Sequence, residues 1–218
     1  MHGRIWFPGN PWPDGHRVTE FDWTGRLDDD GHLWFDLSLS TELYDDSGEP
    51  ATPGADDFSH PDAWLNYHAC TLSSTRWEEA TGVPAATPGS PFRLHDARPQ
   101  RLTADPLPIE DLDAPPAFHV YLLGHDSVAD HDIVFTRQET GVHTIDWNGR
   151  IALTYAGQEE FAYRFRAHVE DVVLSHIAVP KAMPDAEAHA RLAQVTDVPE
   201  QFHLNEADGR RSFVHTRR

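Results

Sequence analysis

Two groups of side chains in this sequence have the types and spacing to hold a metal or move a proton, and each lies where a β-strand or its turn would present it. The first is His125-Asp126 followed by Asp130-His131-Asp132. A hairpin turning at Ser127-Val128 brings His125 near Asp130 and leaves Asp126, His131 and Asp132 around the same tip. That mixture of imidazole and carboxylate suits zinc, manganese or non-haem iron. His119 precedes His125 by six strand residues, about 20 Å, and does not join it. The second group is His68 and Cys70. In an extended strand they share one face about 7 Å apart, close enough to ligate one zinc or to work as an imidazole–thiolate pair, with His60 as the nearest further ligand. The plainer readings are that polar residues gather at wet strand ends and that a lone cysteine is a small core residue.

Binding, as opposed to metal chemistry, points to other positions. Arg164, Arg166 and His168 alternate along one strand face, opposite the small residues Ala152, Thr154 and Ala156. If that face is concave, it suits a carboxylate or phosphate held through bidentate contacts. The competing reading is a solvated face balanced by Glu159, Glu160 and Glu170. Trp12 sits in Pro8-Gly9-Asn10-Pro11-Trp12-Pro13-Asp14-Gly15-His16, a loop stiffened by proline, where it serves as a lid on the first hairpin or as a platform for a sugar or a partner. Trp34 falls on the outward face of its strand, so a loop covers it or it offers an exposed ring. Asp28-Asp29-Asp30-Gly31 lacks the ligand spacing of a calcium loop and reads as a solvated turn.

The elements that must position these residues are strands. From His143 to Val169, Phe161, Tyr163, Phe165, Ala167 and Val169 alternate with polar neighbours, as do Ile151, Leu153 and Tyr155 before them, so the stretch reads as a hairpin turning at Ala156–Glu160. Asp146-Trp147-Asn148-Gly149-Arg150-Ile151 echoes Asp22-Trp23-Thr24-Gly25-Arg26-Leu27, which opens a first hairpin returning through Leu33, Phe35, Leu37 and Leu39. Gly3–Phe7 is a short strand, residues 45–62 form a polar surface loop, and 64–77 reads as a strand in preference to a helix. Prolines then crowd the stretch from Pro84 to Pro116, a long crossover with one short strand near Phe92. A final strand is expected within Asp171–Val179 and a helix within Pro184–Ala193, while Arg210, Arg211, Arg217 and Arg218 end the chain as a basic tail.

The predicted class is therefore all-β: an antiparallel β-sandwich or barrel-like fold with long proline-rich loops and one short C-terminal helix. It spans 1–218 as a single domain, with a pseudo-repeat over 17–42 and 141–170 that duplication or strand grammar would explain. The chain has 218 residues, 39% of them hydrophobic, enough for one sizeable core. With 17 basic and 36 acidic residues its formal charge is −19, which argues against binding a phosphate backbone. Lys181 is the single lysine, a skew that fits genomic base composition or a surface suited to high salt. One cysteine excludes an internal disulfide, and no apolar run approaches a membrane span, so the chain reads as cytoplasmic, without a membrane or nucleic-acid partner. No nucleotide-binding glycine loop, nucleophile elbow or zinc-protease helix is present. The leading expectation is a non-catalytic, acidic binding protein engaging a basic protein partner, in the manner of an inhibitor or immunity protein. Alternatives are a cupin-like metal-dependent enzyme using a divalent ion at the His/Asp cluster, and a carbohydrate-binding module.

Overall fold

In the computed structural model, residues 1–44, 57–77, 79–111 and 114–215 are described. The N-terminal half supplies β1 (His2–Trp6), β2 (His16–Leu27), β3 (Leu33–Thr41), α1 (Pro61–Leu65), β4 (Thr71–Ser73), β5 (Val83–Ala86) and β6 (Gln100–Ala104). The remainder supplies β7 (His119–Tyr121), β8 (His125–Arg137), β9 (His143–Ala152), β10 (Tyr163–Val172), β11 (His176–Ala178), α2 (Asp185–Val195), β12 (Phe202–Ala207) and β13 (Arg210–His215). Eight strands close an antiparallel barrel in the order β2-β1-β10-β9-β8-β7-β4-β3, and β3 pairs back onto β2. Between sandwich and barrel, the chain takes the barrel.

The two echoing ribbons occupy equivalent places. β2 is the middle strand of the meander β1-β2-β3 and β9 of the meander β8-β9-β10, and the meanders join where Ile5 of β1 faces Ala167 of β10. Trp23 and Trp147 therefore both project into one interior, at 1% and 0% exposure. Trp23 packs edge-on against Phe35 and Phe92 and lies 5.0 Å from the Phe135 ring; Trp147 packs against Phe118 and Phe165. The glycine two residues after each indole makes room for a neighbour. A Cβ on Gly149 would stand 2.5 Å from the Phe165 ring, and one on Gly25 would stand 3.2 Å from Leu33 and Ile177.

Three bulges decide which residues face inward. The register slips between Val18 and Glu20 in β2, between Ala129 and Asp132 in β8, and between Val169 and Val172 in β10. Each inserted residue shifts the alternation by one, as a bulge must. So His16 and Val18 are buried but Thr19 is exposed, and burial resumes at Trp23. Asp126 and Val128 face inward before the second bulge, and His131, Ile133 and Phe135 after it.

Both barrel ends are capped. α1 starts with Pro61 at its first turn and an N-cap at His60, and it buries Trp64 among Phe7, Trp12, His16, Tyr44 and Phe58. At the other end Phe92 lies across Trp23 and Phe35 and ties to α2 through its N–H to Val195 O, 3.0 Å.

Four local readings of the sequence are corrected. Residues 64–77 are not one strand: the end of α1, an irregular segment and the three-residue β4 share them, because Trp64 seeks the barrel end. The crossover holds two strands, β5 and β6, whereas Phe92 makes only an isolated bridge to Thr196. The second hairpin ends earlier than its alternation implies: β9 stops at Ala152, a 3₁₀ turn covers Thr154–Ala156, and Tyr155 is exposed. The C-terminal arginines are not all tail, since Arg210 and Arg211 lie in β13, which pairs with β12, and Arg211 meets Asp185; Arg217 and Arg218 lie outside the described residues, as do 45–56 of the polar loop.

Gly149→Ala is expected to destabilise the protein by about 1–3 kcal/mol, the usual cost of overpacking, and Gly25→Ala by less, because only side-chain tips at 3.2 Å need give way. Urea midpoints decide it; a Gly149→Ala protein as stable as the parent overturns this account of the Trp-x-Gly step.

Candidate functional site

The expected metal clusters are not gathered. Instead of turning at Ser127-Val128, β8 runs unbroken from His125 to Arg137, because its inward residues continue the barrel wall. His125 is exposed at one end, about 20 Å along the strand from His131, which is buried at 1% exposure. Asp130 sits on the bulge with φ 54°, exposed, and its N–H donates to Asp105 O. His68 is exposed whereas Cys70 is wholly buried, where loss of water pushes the thiol pKa far up. They do not share a face, because the segment before β4 is irregular. His60 is spent on capping α1, accepting from the Asp62 N–H at 3.3 Å. Among the described residues, no three His, Cys, Asp or Glu side chains converge as metal ligands.

Both tryptophan platforms are engaged within the chain. Trp12 stacks on Tyr44 and meets His16 and Trp64 edge-on, the lid reading. Trp34 donates from Nε1 to Asp28 Oδ2 at 2.9 Å and carries the Arg26 guanidinium 5.2 Å above its ring. Arg164, Arg166 and His168 face Arg150, Asn148 and Asp146, not the small residues of the expected register, since β9 ends at Ala152. His168 is already partnered by Asp146 at 2.7 Å and Glu170 at 3.6 Å.

What the barrel does present is a cavity of about 810 Å³ on its flank. β8 is longer than either neighbour on that side: β7 pairs with its start at His125–Asp126 and β6 with its later part at His131–Phe135. Residues 105–111 and 114–118 lie over the gap, and the loop after β9 forms the facing rim. The floor is apolar, from Phe118, Val128 and Phe161. Among the described residues its ionisable lining is Asp105, Glu110, Asp111, Asp126, Glu159 and His119, with no lysine or arginine. This volume lies within the range of small-molecule sites, which favour barrel flanks and mouths.

Two of those carboxylates are built into the wall. Asp126 accepts from the N–H groups of Leu123 at 2.9 Å and Tyr155 at 3.3 Å; Asp105 accepts from Ala117 N–H at 2.8 Å. Burial raises the pKa of both, and these N–H donors only partly offset it. Behind Asp105 stands His131, whose Nδ1 accepts the Trp147 Nε1–H at 3.2 Å. The ring is then neutral with its proton on Nε2, which has no hydrogen-bond partner among the described residues; Asp105 Oδ2 is 3.8 Å away. Neither this cover nor the His131–Asp105 approach was foreseen from sequence. The signal available was the spacing of Asp105 and Asp130, both at positive φ, and it is visible only once β6 is paired to β8.

Fold and site together define a closed eight-stranded antiparallel barrel with a carboxylate-rimmed cavity in its wall. No family model, no curated protein and no solved structure matches the chain. Among the described residues no helix is long and apolar enough to cross a membrane.

Three buried imidazoles set the acid limit of this architecture. Burial lowers His131 to about 3, and His16 and His143 to about 4, from an ordinary 6.5. Below pH 6.5 the unfolded chain binds protons at these positions that the folded chain refuses, so stability is lost as pH falls from 6.5 toward 4. Each group adds up to about 1.4 kcal/mol per pH unit. Asp36, Asp105 and Asp126, raised by burial, act in the opposite sense and offset part of the slope. Urea unfolding at a series of pH values is expected to show stability falling from pH 7 to 5, with His131→Asn flattening the slope by up to one proton; a flat parent profile overturns this.

Proposed function

We propose that this protein is a non-catalytic binding protein whose flank cavity takes a positively charged ligand with an apolar body. One observation carries the reading: among the described residues the cavity joins an apolar floor to an ionisable lining of carboxylates and one imidazole, without a permanently charged cationic side chain. Such a lining attracts an ammonium or guanidinium group and repels an anion, while Phe118, Phe161 and Val128 offer surface to the attached hydrocarbon. The two wall carboxylates are held by backbone N–H groups, so the site does not need to reorganise to receive a cation. A single buried thiol, Cys70, is consistent with a reducing, cytoplasmic setting.

A second reading is favoured by the charge of −19: the ligand is a side chain of a basic protein, presented to the same cavity by a partner steered in by the acidic surface. The two differ in what binds alone. Titration with octyltrimethylammonium, followed by calorimetry and amide chemical shifts, is expected to give a Kd between about 10 μM and 1 mM, or roughly −7 to −4 kcal/mol. Octanoate, with a hydrocarbon tail and the opposite charge, is expected not to bind. Replacing Glu110 and Glu159 together by Gln is expected to weaken the ammonium about 3–10-fold, and added salt to do the same, since both carboxylates are exposed on the rim. Equal binding of octanoate, or an unaffected double variant, overturns the proposal. Salt-sensitive binding of an oligolysine peptide without binding of the small ammonium selects the second reading.

A further inference from the structure

On the outer wall of the barrel the charge pattern reverses. Arg164 of β10 faces Arg150 of β9 directly across the pair; two residues on, Arg166 faces Asn148 on one side and Trp6 of β1 on the other; Arg4 of β1 stands opposite His168. Like charges placed directly opposite destabilise a sheet. The chain has 36 acidic residues, yet among the described residues none comes within 4.0 Å of the guanidinium groups of Arg4, Arg150, Arg164 or Arg166. The neighbouring basic side chains behave differently: Arg17 is paired with Glu42 at 3.1 Å, and His168 lies 2.7 Å from Asp146. A merely solvated face would show the balancing carboxylates expected from Glu159, Glu160 and Glu170, and Glu170 approaches His168 instead.

Two of these guanidinium groups are held in place without being neutralised. Arg4 Nη1 donates to Asp14 O and Gly15 O, each at 3.1 Å. Arg166 lies 5.1 Å above the Trp6 ring. Both side chains therefore give up much of their rotamer freedom while keeping donors for a ligand. Arg4 and Trp6 also line a groove of about 510 Å³ along β1, together with Arg17, His168 and one carboxylate, Glu170.

We infer that this wall is an anion site, formed by Arg150, Arg164 and Arg166 with Arg4 flanking it at the groove, and that it takes the phosphoryl group of a small molecule. Several forks on adjacent strands match the multiple oxygens and double charge of a phosphoryl group. A long polyanion is disfavoured, because it would run off this patch onto a surface of strongly negative net charge. A small anion is spared most of that field, since at physiological ionic strength charges beyond about 8 Å are screened.

The site shares no lining residue with the flank cavity, although Arg150 Nη1 donates to Phe161 O at 3.5 Å, and its test uses different ligands and different residues. With sodium pyrophosphate as probe at about 20 mM ionic strength, calorimetry is expected to show binding that weakens at least 10-fold in Arg164→Ala/Arg166→Ala, with amide shifts confined to β1, β9 and β10. Arg166→Lys is expected to restore little, because an ammonium keeps the charge but not the fork. Arg93→Ala, on an exposed arginine elsewhere, serves as control and is expected to bind as the parent does. No binding of pyrophosphate, binding that survives the double variant, full rescue by lysine, or binding of a single-stranded oligonucleotide in place of pyrophosphate would each overturn the inference.

Discussion

An eight-stranded barrel has an interior that side chains alone must fill, and here two indoles are among the largest of those side chains. Trp23 and Trp147 stand on the middle strands of two successive meanders, and everything near them is arranged around their bulk. Phe35 and Phe92 close on one, Phe118 and Phe165 on the other, and a glycine two residues along lets the neighbouring side chains approach. Each indole also has an imidazole against it: His143 at 5.1 Å from Trp23, and His131 accepting from Trp147. For Trp147 the neutral imidazole of His131 is a compact partner that offers an acceptor without a charge; His143 meets Trp23 only ring to ring, and neither Trp23 Nε1 nor His143 Nε2 has a hydrogen-bond partner among the described residues. Burial holds both imidazoles well below their ordinary pKa, so neither carries a charge near neutral pH.

How much of this could be read from the residues depends on the period of the pattern. Strict alternation in Thr19–Leu27, Leu33–Leu39 and Phe161–Val169 marked the strands around both indoles, and the repeated Asp-Trp-x-Gly-Arg pointed to two equivalent ribbons sharing an interior. The helix expected within 184–193 is α2, extended to Val195. Closure was not legible, because it is made by pairings remote in sequence: β1 on β10, and the three-residue β4 between β3 and β7. Strands that short carry too few residues to show a period. The proline-rich crossover concealed β5 and β6 for the same reason, while its length, unusual for a loop without structure, was itself the sign that it had work to do.

The candidate site was lost through bulges. A histidine and an aspartate five residues apart read as a hairpin tip when the strand is taken to turn, and as a wall when one inserted residue lets the strand run on. The bulge at Asp130 turns His131 inward and leaves Asp130 outside, so that residues adjacent in the sequence end on opposite sides of the barrel. His68 and Cys70 were separated by a different cause: the need of Trp64 for a place at the barrel end pulled the chain into a helix, and the extended geometry that would have joined them never formed. In both cases burial of an aromatic or aliphatic side chain outweighed the local preference of polar neighbours, as tertiary packing commonly does.

Charge supplies the last step. A net charge of −19 spread evenly would say only that the molecule repels its own kind. It is not spread evenly. Among the described residues, carboxylates without permanent cations surround a cavity in one part of the wall, and Arg164 stands directly opposite Arg150, with no carboxylate in ion-pair reach of either, in another. Interleaving the two would have lowered the electrostatic energy of each face, and cross-strand pairs of opposite sign are the cheapest way to do so. Among the described residues the chain forgoes much of that gain at two places, and the two proposed ligands, a cation at the cavity and an anion at the arginine wall, rest on that unevenness. Because the two sites draw on different residues, either one stands without the other.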